Sequence, residues 1–182
     1  MSGMLRVGTV LCALALVACG SNEEASPVSG GGAAVPTAPT APGGGCGDPA
    51  EAREVAEDPS FELRASASGP YATGQEGRFE IALTPRGGYH VNADYPLTIE
   101  LEAPGEVTLP DAELGADDAA EFGEPRARFQ VPFTPTGAGQ HRVTARVDFA
   151  VCTPEACMPD CRTLALVLPV EAGGEAPTTA TQ

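Results

Sequence analysis

The chain has 182 residues and carries 25 acidic side chains against ten basic ones, for a formal net charge of −15. Every basic residue is arginine. A field of that sign repels nucleic acid and anionic lipid, which excludes functions built on a basic patch, and no nucleic-acid partner is expected.

Arg6 supplies the positive charge ahead of an apolar run from Val7 to Val17. The run is too short to span a bilayer as a mature helix. It closes on Leu16-Val17-Ala18-Cys19, which resembles the bacterial lipobox. That resemblance implies a signal peptide over residues 1–18, cleavage before Cys19, and membrane lipid attached to Cys19. The expected location is the cell envelope, lipid-anchored, periplasmic or surface-facing. An ordinary secretory signal with a chance cysteine is the alternative. Cys12 would leave with the peptide. Loss of Arg6 leaves nine arginines against the same 25 acids, a net charge of about −16.

Residues 19–58 contain no aromatic side chain and are rich in Gly, Pro, Ala, Ser and Thr. Such a segment buries too little apolar surface to offset the entropy of ordering, so it is predicted to be a disordered tether. Within it, Ala50 to Glu57 is the one place where a helical turn or two is expected. The tail, residues 173–182, is again small and polar.

All nine aromatic residues lie between Phe61 and Phe149, which places the folded domain at residues 59–172. Its apolar residues recur with a period of two. Phe79, Ile81 and Leu83 form one row, Leu97, Ile99 and Leu101 another, and Phe129, Val131 and Phe133 a third. Val143 to Val151 is the longest row, and Leu164, Leu166, Leu168 and Val170 close the domain. Each row buries one face and solvates the other, as antiparallel strands with one wet face require. Turn signals separate them at Gly69-Pro70, Pro85-Arg-Gly-Gly88, Ala103-Pro-Gly105 and Pro135-Thr-Gly137. About seven short strands so punctuated predict an all-β, immunoglobulin-like antiparallel sandwich.

Three cysteines, Cys152, Cys157 and Cys161, fall within ten residues at the end of the longest row. Cys46 is the fourth besides Cys19 and Cys12. Outside a reducing cytosol, four such cysteines form two disulfides, and three pairings are open. Glu155 and Asp160 flank the cluster and disfavour a thiolate, while Arg162 is the only cation close in sequence. Local charge alone therefore favours a stable staple. A soft-metal site built from Cys152, Cys157, Met158 and Cys161 matches no paired zinc-knuckle spacing, and no metal or cofactor is expected. Of the two histidines, His90 reads as a turn or strand residue bonded to backbone, and His141 as a surface residue at a strand start. Asp111 to Glu124 holds six acids without the frame of a calcium loop and reads as a solvated loop.

Three segments, taken in order, resemble one family. They are Gly87-Gly-Tyr-His-Val-Asn-Ala-Asp-Tyr-Pro96, then Glu121-Phe-Gly123, then the cysteine segment that follows the Val143–Val151 row. Together they are similar to the N-terminal periplasmic domain of the thiol:disulfide interchange protein DsbD, over about residues 60–171. The resemblance implies an immunoglobulin-like fold and a redox pair, Cys152 and Cys157, that relays electrons between thioredoxin-like periplasmic partners. It implies that Phe122 is an aromatic cap over the pair and that Tyr89 stands beside it. The loop between the cysteines is slightly shorter than in the best-known members, and Cys46 and Cys161 have no counterpart there. The pairing that follows is Cys152–Cys157 with Cys46–Cys161. The second bond closes a loop of about 115 residues, worth about 4 kcal/mol in the chain-entropy model. The alternative from another class is a non-enzymatic binding or scaffold module with structural disulfides.

Overall fold

A computed structural model describes residues 45–173. The signal segment, Cys19, most of the tether and the C-terminal tail lie outside the described residues. Twelve strands follow in order: β1 (Val55–Asp58), β2 (Phe61–Ala67), β3 (Tyr71–Ala72), β4 (Gly77–Pro85), β5 (His90–Val91) and β6 (Thr98–Glu102). Then come β7 (Val107–Thr108), β8 (Glu113–Gly115), β9 (Glu121–Gly123), β10 (Arg126–Pro135), β11 (Gly139–Cys152) and β12 (Cys157–Glu171). Five of the twelve have only two or three residues, too few to declare a period, which is why the sequence announces about seven.

The strands form two sheets. One runs β1-β2-β4-β10-β7, with β9 also on β10; the other runs β3-β12-β11-β6-β8, with β5 also on β11. Pairing is antiparallel except for β3 beside β12. The fold is the all-β, immunoglobulin-like sandwich that the period-two rows predict. Inward residues of the long strands are buried in alternation, as in Phe79, Ile81 and Leu83 of β4 and Phe129, Val131 and Phe133 of β10. Phe61 of the first sheet meets Phe149 of the second edge to face, ring centres 4.8 Å apart. Tyr71 and Phe133 make a similar contact at 4.7 Å.

Several expectations need correction. The segment from Cys46 to Asp58 belongs to the sandwich rather than to a free tether. Thr163 donates its N–H to the Cys46 carbonyl at 2.7 Å, and Ala165 donates to Arg53 at 2.9 Å, so the segment lies along the edge of β12. It then crosses to the other sheet as β1, paired along β2. One turn at Pro49–Glu51 is all that stands where helical turns were expected, and Val55–Asp58 is strand. Arg142 fixes the turn by donating to the carbonyls of Pro49 and Ala52. The segment also covers backbone groups that an open edge would expose.

His141 is the second. It is 4% exposed, because counting back by twos from Val143 puts it on the inward face of β11. Its ring donates through Nε2 to the Gly137 carbonyl at 2.9 Å, which satisfies a polar group that burial would otherwise penalise. The acidic stretch from Asp111 to Glu124 is more ordered than a plain loop: it carries β8, a short 3-10 turn at Ala116–Asp118, and β9.

Candidate thiol site at the end of the long hairpin

β11 and β12 form a hairpin of fourteen paired positions, and its last pair is Cys152 opposite Cys157. Directly opposed residues on neighbouring strands project to the same face, which brings the two sulfurs within bonding reach. They form one disulfide, and Cys46–Cys161 forms the other. Of the three open pairings, the structure takes the one expected. Two disulfides belong to a chain that matures in an oxidising compartment. No helix of the described residues is long and apolar enough to cross a membrane.

The turn between the sulfurs is closed by Thr153. Its N–H donates to the Ala156 carbonyl at 2.8 Å, and its hydroxyl accepts from the N–H groups of Ala156 and Glu155 at 3.2 and 3.3 Å. A Thr side chain bonded to backbone two and three residues on is a local alternative to ladder bonds, and it sets the turn's shape.

The two cysteines are unequal. Cys152 is 2% exposed, whereas Cys157 is exposed. The reason is in the strand: alternation along β11 gives way to four consecutive buried residues, Phe149 to Cys152, so its end is covered on both faces. Its free edge is paired with β5. Val91 pairs with Val151 and His90 pairs with Cys152. His90, Cys152 and Cys157 thus make one row across three strands.

The chain continues from β5 along the hairpin. Asn92 donates its backbone N–H to the Ala150 carbonyl at 3.1 Å. Its side-chain Nδ2 donates to Cys157 Sγ at 3.4 Å, and its Oδ1 accepts from the N–H of Asp94 at 2.9 Å. Tyr89, half-buried, places its hydroxyl 3.9 Å from Sδ of Met158, the neighbour of Cys157. Phe122 lies on β9 in the other sheet, opposite Ala127, half-buried against the core. Just past that strand, the Glu124 carbonyl accepts the Val91 N–H at 2.8 Å.

Arg162, the cation nearest in sequence, is engaged elsewhere. It pairs with Asp160 at 2.9 Å and lies over the Phe61 ring at 5.6 Å. The four soft ligands Cys152, Cys157, Met158 and Cys161 are not gathered, since Cys161 is bonded to Cys46. That second bond has its own polar setting. Arg146 donates from Nε to Cys46 Sγ at 2.8 Å and pairs with Glu100 and Asp148. Donor atoms of Cys46, Cys161 and Asp148 lie within 4.8 Å of one another, with the two sulfurs spent on each other. A cleft of about 280 Å³ opens beside this bond, bordered by Glu100, Glu102, Thr144 and Arg146.

Sequence reasoning paired the sulfurs. It missed Asn92 as a contact of Cys157, His90 as the ladder partner of Cys152, and Arg146 beside Cys46. The available signal was the alternation in Tyr89-His-Val-Asn92, which sends His90 and Asn92 to one face.

No family model matches the chain, and no curated protein matches it. Among solved structures it is similar to the GAE domain of GGA2p from Saccharomyces cerevisiae, at 13% identity and a TM-score of 0.36. That alignment covers 63% of this chain and 97% of that one. It is also similar to AggA, the major subunit of aggregative adherence fimbriae type I from Escherichia coli, at 14% identity and a TM-score of 0.31. Here 65% of this chain and 99% of that one are covered.

Proposed function

We propose that this protein is an extracytoplasmic thiol–disulfide interchange module, held at a membrane by lipid on Cys19, in the manner its resemblance to the DsbD N-terminal domain implies. One observation carries the reading: the Cys152–Cys157 bond joins an exposed residue to a buried one. A thioredoxin-like partner's thiolate attacks Cys157 Sγ, forming a mixed disulfide and releasing Cys152 as a thiolate. The partner's second thiol then attacks the partner's own sulfur and releases Cys157. Two electrons have moved: the partner is left as a disulfide and this protein as a dithiol. Passing them on reverses the sequence, with Cys157 attacking the next protein's disulfide and Cys152 resolving it. Buried Cys152 suits resolution, which is intramolecular and needs no access for a second protein. Tyr89 and Phe122 are the proposed shields against adventitious thiols.

The test is the equilibrium of the Cys152–Cys157 bond with a thiol buffer, read by mass spectrometry of that peptide. A reduction potential in the oxidoreductase range, with Cys152→Ser trapping a mixed disulfide through Cys157, supports exchange. A potential below about −300 mV, with no trapped partner, leaves a binding or scaffold module with structural disulfides.

A further inference from the structure

We infer that Asn92 is the hydrogen-bond donor that holds the Cys157 thiolate once the Cys152–Cys157 bond opens. The inference deepens the exchange reading and rests on it for its use. Three contacts carry it. The amide nitrogen of Asn92 stands 3.4 Å from Cys157 Sγ. Which end of the amide faces the sulfur is set by the other end, because Oδ1 accepts the Asp94 N–H at 2.9 Å. The backbone of Asn92 is itself held, its N–H bonded to the Ala150 carbonyl of β11 at 3.1 Å. The donor is therefore aimed by two backbone bonds before any thiolate exists.

A donor to the charged form of a thiol favours that form. Asn92 thus supplies to Cys157 the one side-chain hydrogen bond its sulfur receives among the described residues. The titratable groups around it are Tyr89, whose hydroxyl meets Sδ of the adjacent Met158, His90 of β5 in the same row, Asp94 behind the Asn92 amide, and Glu155 in the turn. Glu155 opposes a thiolate, and the amide favours one. It serves both halves of the relay. Cys157 leaves as a thiolate when the partner resolves the mixed disulfide, and Cys157 attacks as a thiolate in the forward transfer.

The test uses the reduced, full mature chain and no redox partner. Alkylation of Cys157 by iodoacetamide is followed across pH by peptide mass spectrometry, which separates it from the other thiols. Asn92→Asp keeps an oxygen for the Asp94 N–H but replaces the donor with an anion. It is expected to slow Cys157 alkylation at pH 7 about tenfold and to move the midpoint of the profile upward, with Asn92→Ala between it and the wild type. A second readout needs no variant. The side-chain amide resonances of Asn92 in the reduced protein should titrate with the same midpoint as Cys157 alkylation. Unchanged alkylation in a folded Asn92→Asp protein, or amide resonances that ignore the ionisation of Cys157, would overturn the inference. Loss of partner exchange with these effects intact would count against the exchange reading alone.

Discussion

Arg146 donates from Nε to Cys46 Sγ at 2.8 Å and so adds a polar contact to the bond that ties the start of the domain to β12. The two disulfides should therefore differ in what they do for stability. Cys46–Cys161 spans 115 residues and Cys152–Cys157 spans five. In the chain-entropy model the short loop is worth roughly 2 kcal/mol and the long one about twice that. Equilibrium denaturation should rank Cys46→Ser/Cys161→Ser as clearly less stable than Cys152→Ser/Cys157→Ser. Hydrogen exchange in the first variant should speed up at the amides of Thr163 and Ala165, which bond to Cys46 and Arg53. Equal stabilities and unchanged exchange would mean that the strap holds without its covalent pin.

Asp58 offers a pH prediction. The Ser60 hydroxyl at 2.6 Å and the Ser60 N–H at 3.0 Å hold its carboxyl below the usual range, with a smaller push from Arg162 against a desolvation cost. A carboxyl depressed in the folded state adds stability that is present above its unfolded pKa. That stability is lost as pH falls through the folded value. Ser60→Ala should cost on the order of 1 kcal/mol at neutral pH and nothing once Asp58 is protonated in both states. Urea midpoints at neutral and strongly acidic pH check this; an equal loss at both would point to packing of Ser60 alone.

The turn that launches β5 should be brittle at one glycine. Gly87 has φ +61°, and a β-carbon there would lie 2.9 Å from the Pro59 carbonyl oxygen. Gly88 has φ +84° but open space around it. Gly87→Ala should therefore destabilise by about 2 kcal/mol, against about 1 kcal/mol for Gly88→Ala. Because the turn feeds Tyr89 and His90 to the hairpin, Gly87→Ala should also raise the rate at which reductants open Cys152–Cys157. A reversed order of melting temperatures would sink this.

How much of this was legible follows from how far each feature reaches along the chain. Phe79-Ile81-Leu83 and Val143 to Phe149 declare their strands locally, since one buried face and one wet face write a period of two into consecutive residues. Residues 46–53 carry no such signal. They are ordered by partners about a hundred residues away, namely Cys161, Thr163, Ala165 and Arg142, and composition cannot see them. The sulfurs were legible because cysteines so close must be accounted for. Asn92 was not, because strand register rather than sequence brings it to a residue 65 positions away.

Thr153 gives the last prediction. Its hydroxyl accepts two backbone N–H groups and stiffens the four residues between the sulfurs. A stiff turn keeps the thiols of the reduced protein near each other, which raises their effective concentration and favours the bond. Thr153→Ala removes both bonds while leaving the strands paired. A net loss of about 1 kcal/mol should lower the equilibrium constant for closing Cys152–Cys157 about fivefold, and raise its reduction potential by about 20 mV. Thr153→Ser keeps the hydroxyl and should stay near the wild type. The measurement is the ratio of reduced to oxidised peptide across a glutathione series, with Cys46–Cys161 scored in the same samples as an internal reference. If Thr153→Ala moves both bonds equally, the effect is global softening of the sandwich; movement of Cys152–Cys157 alone ties it to the turn.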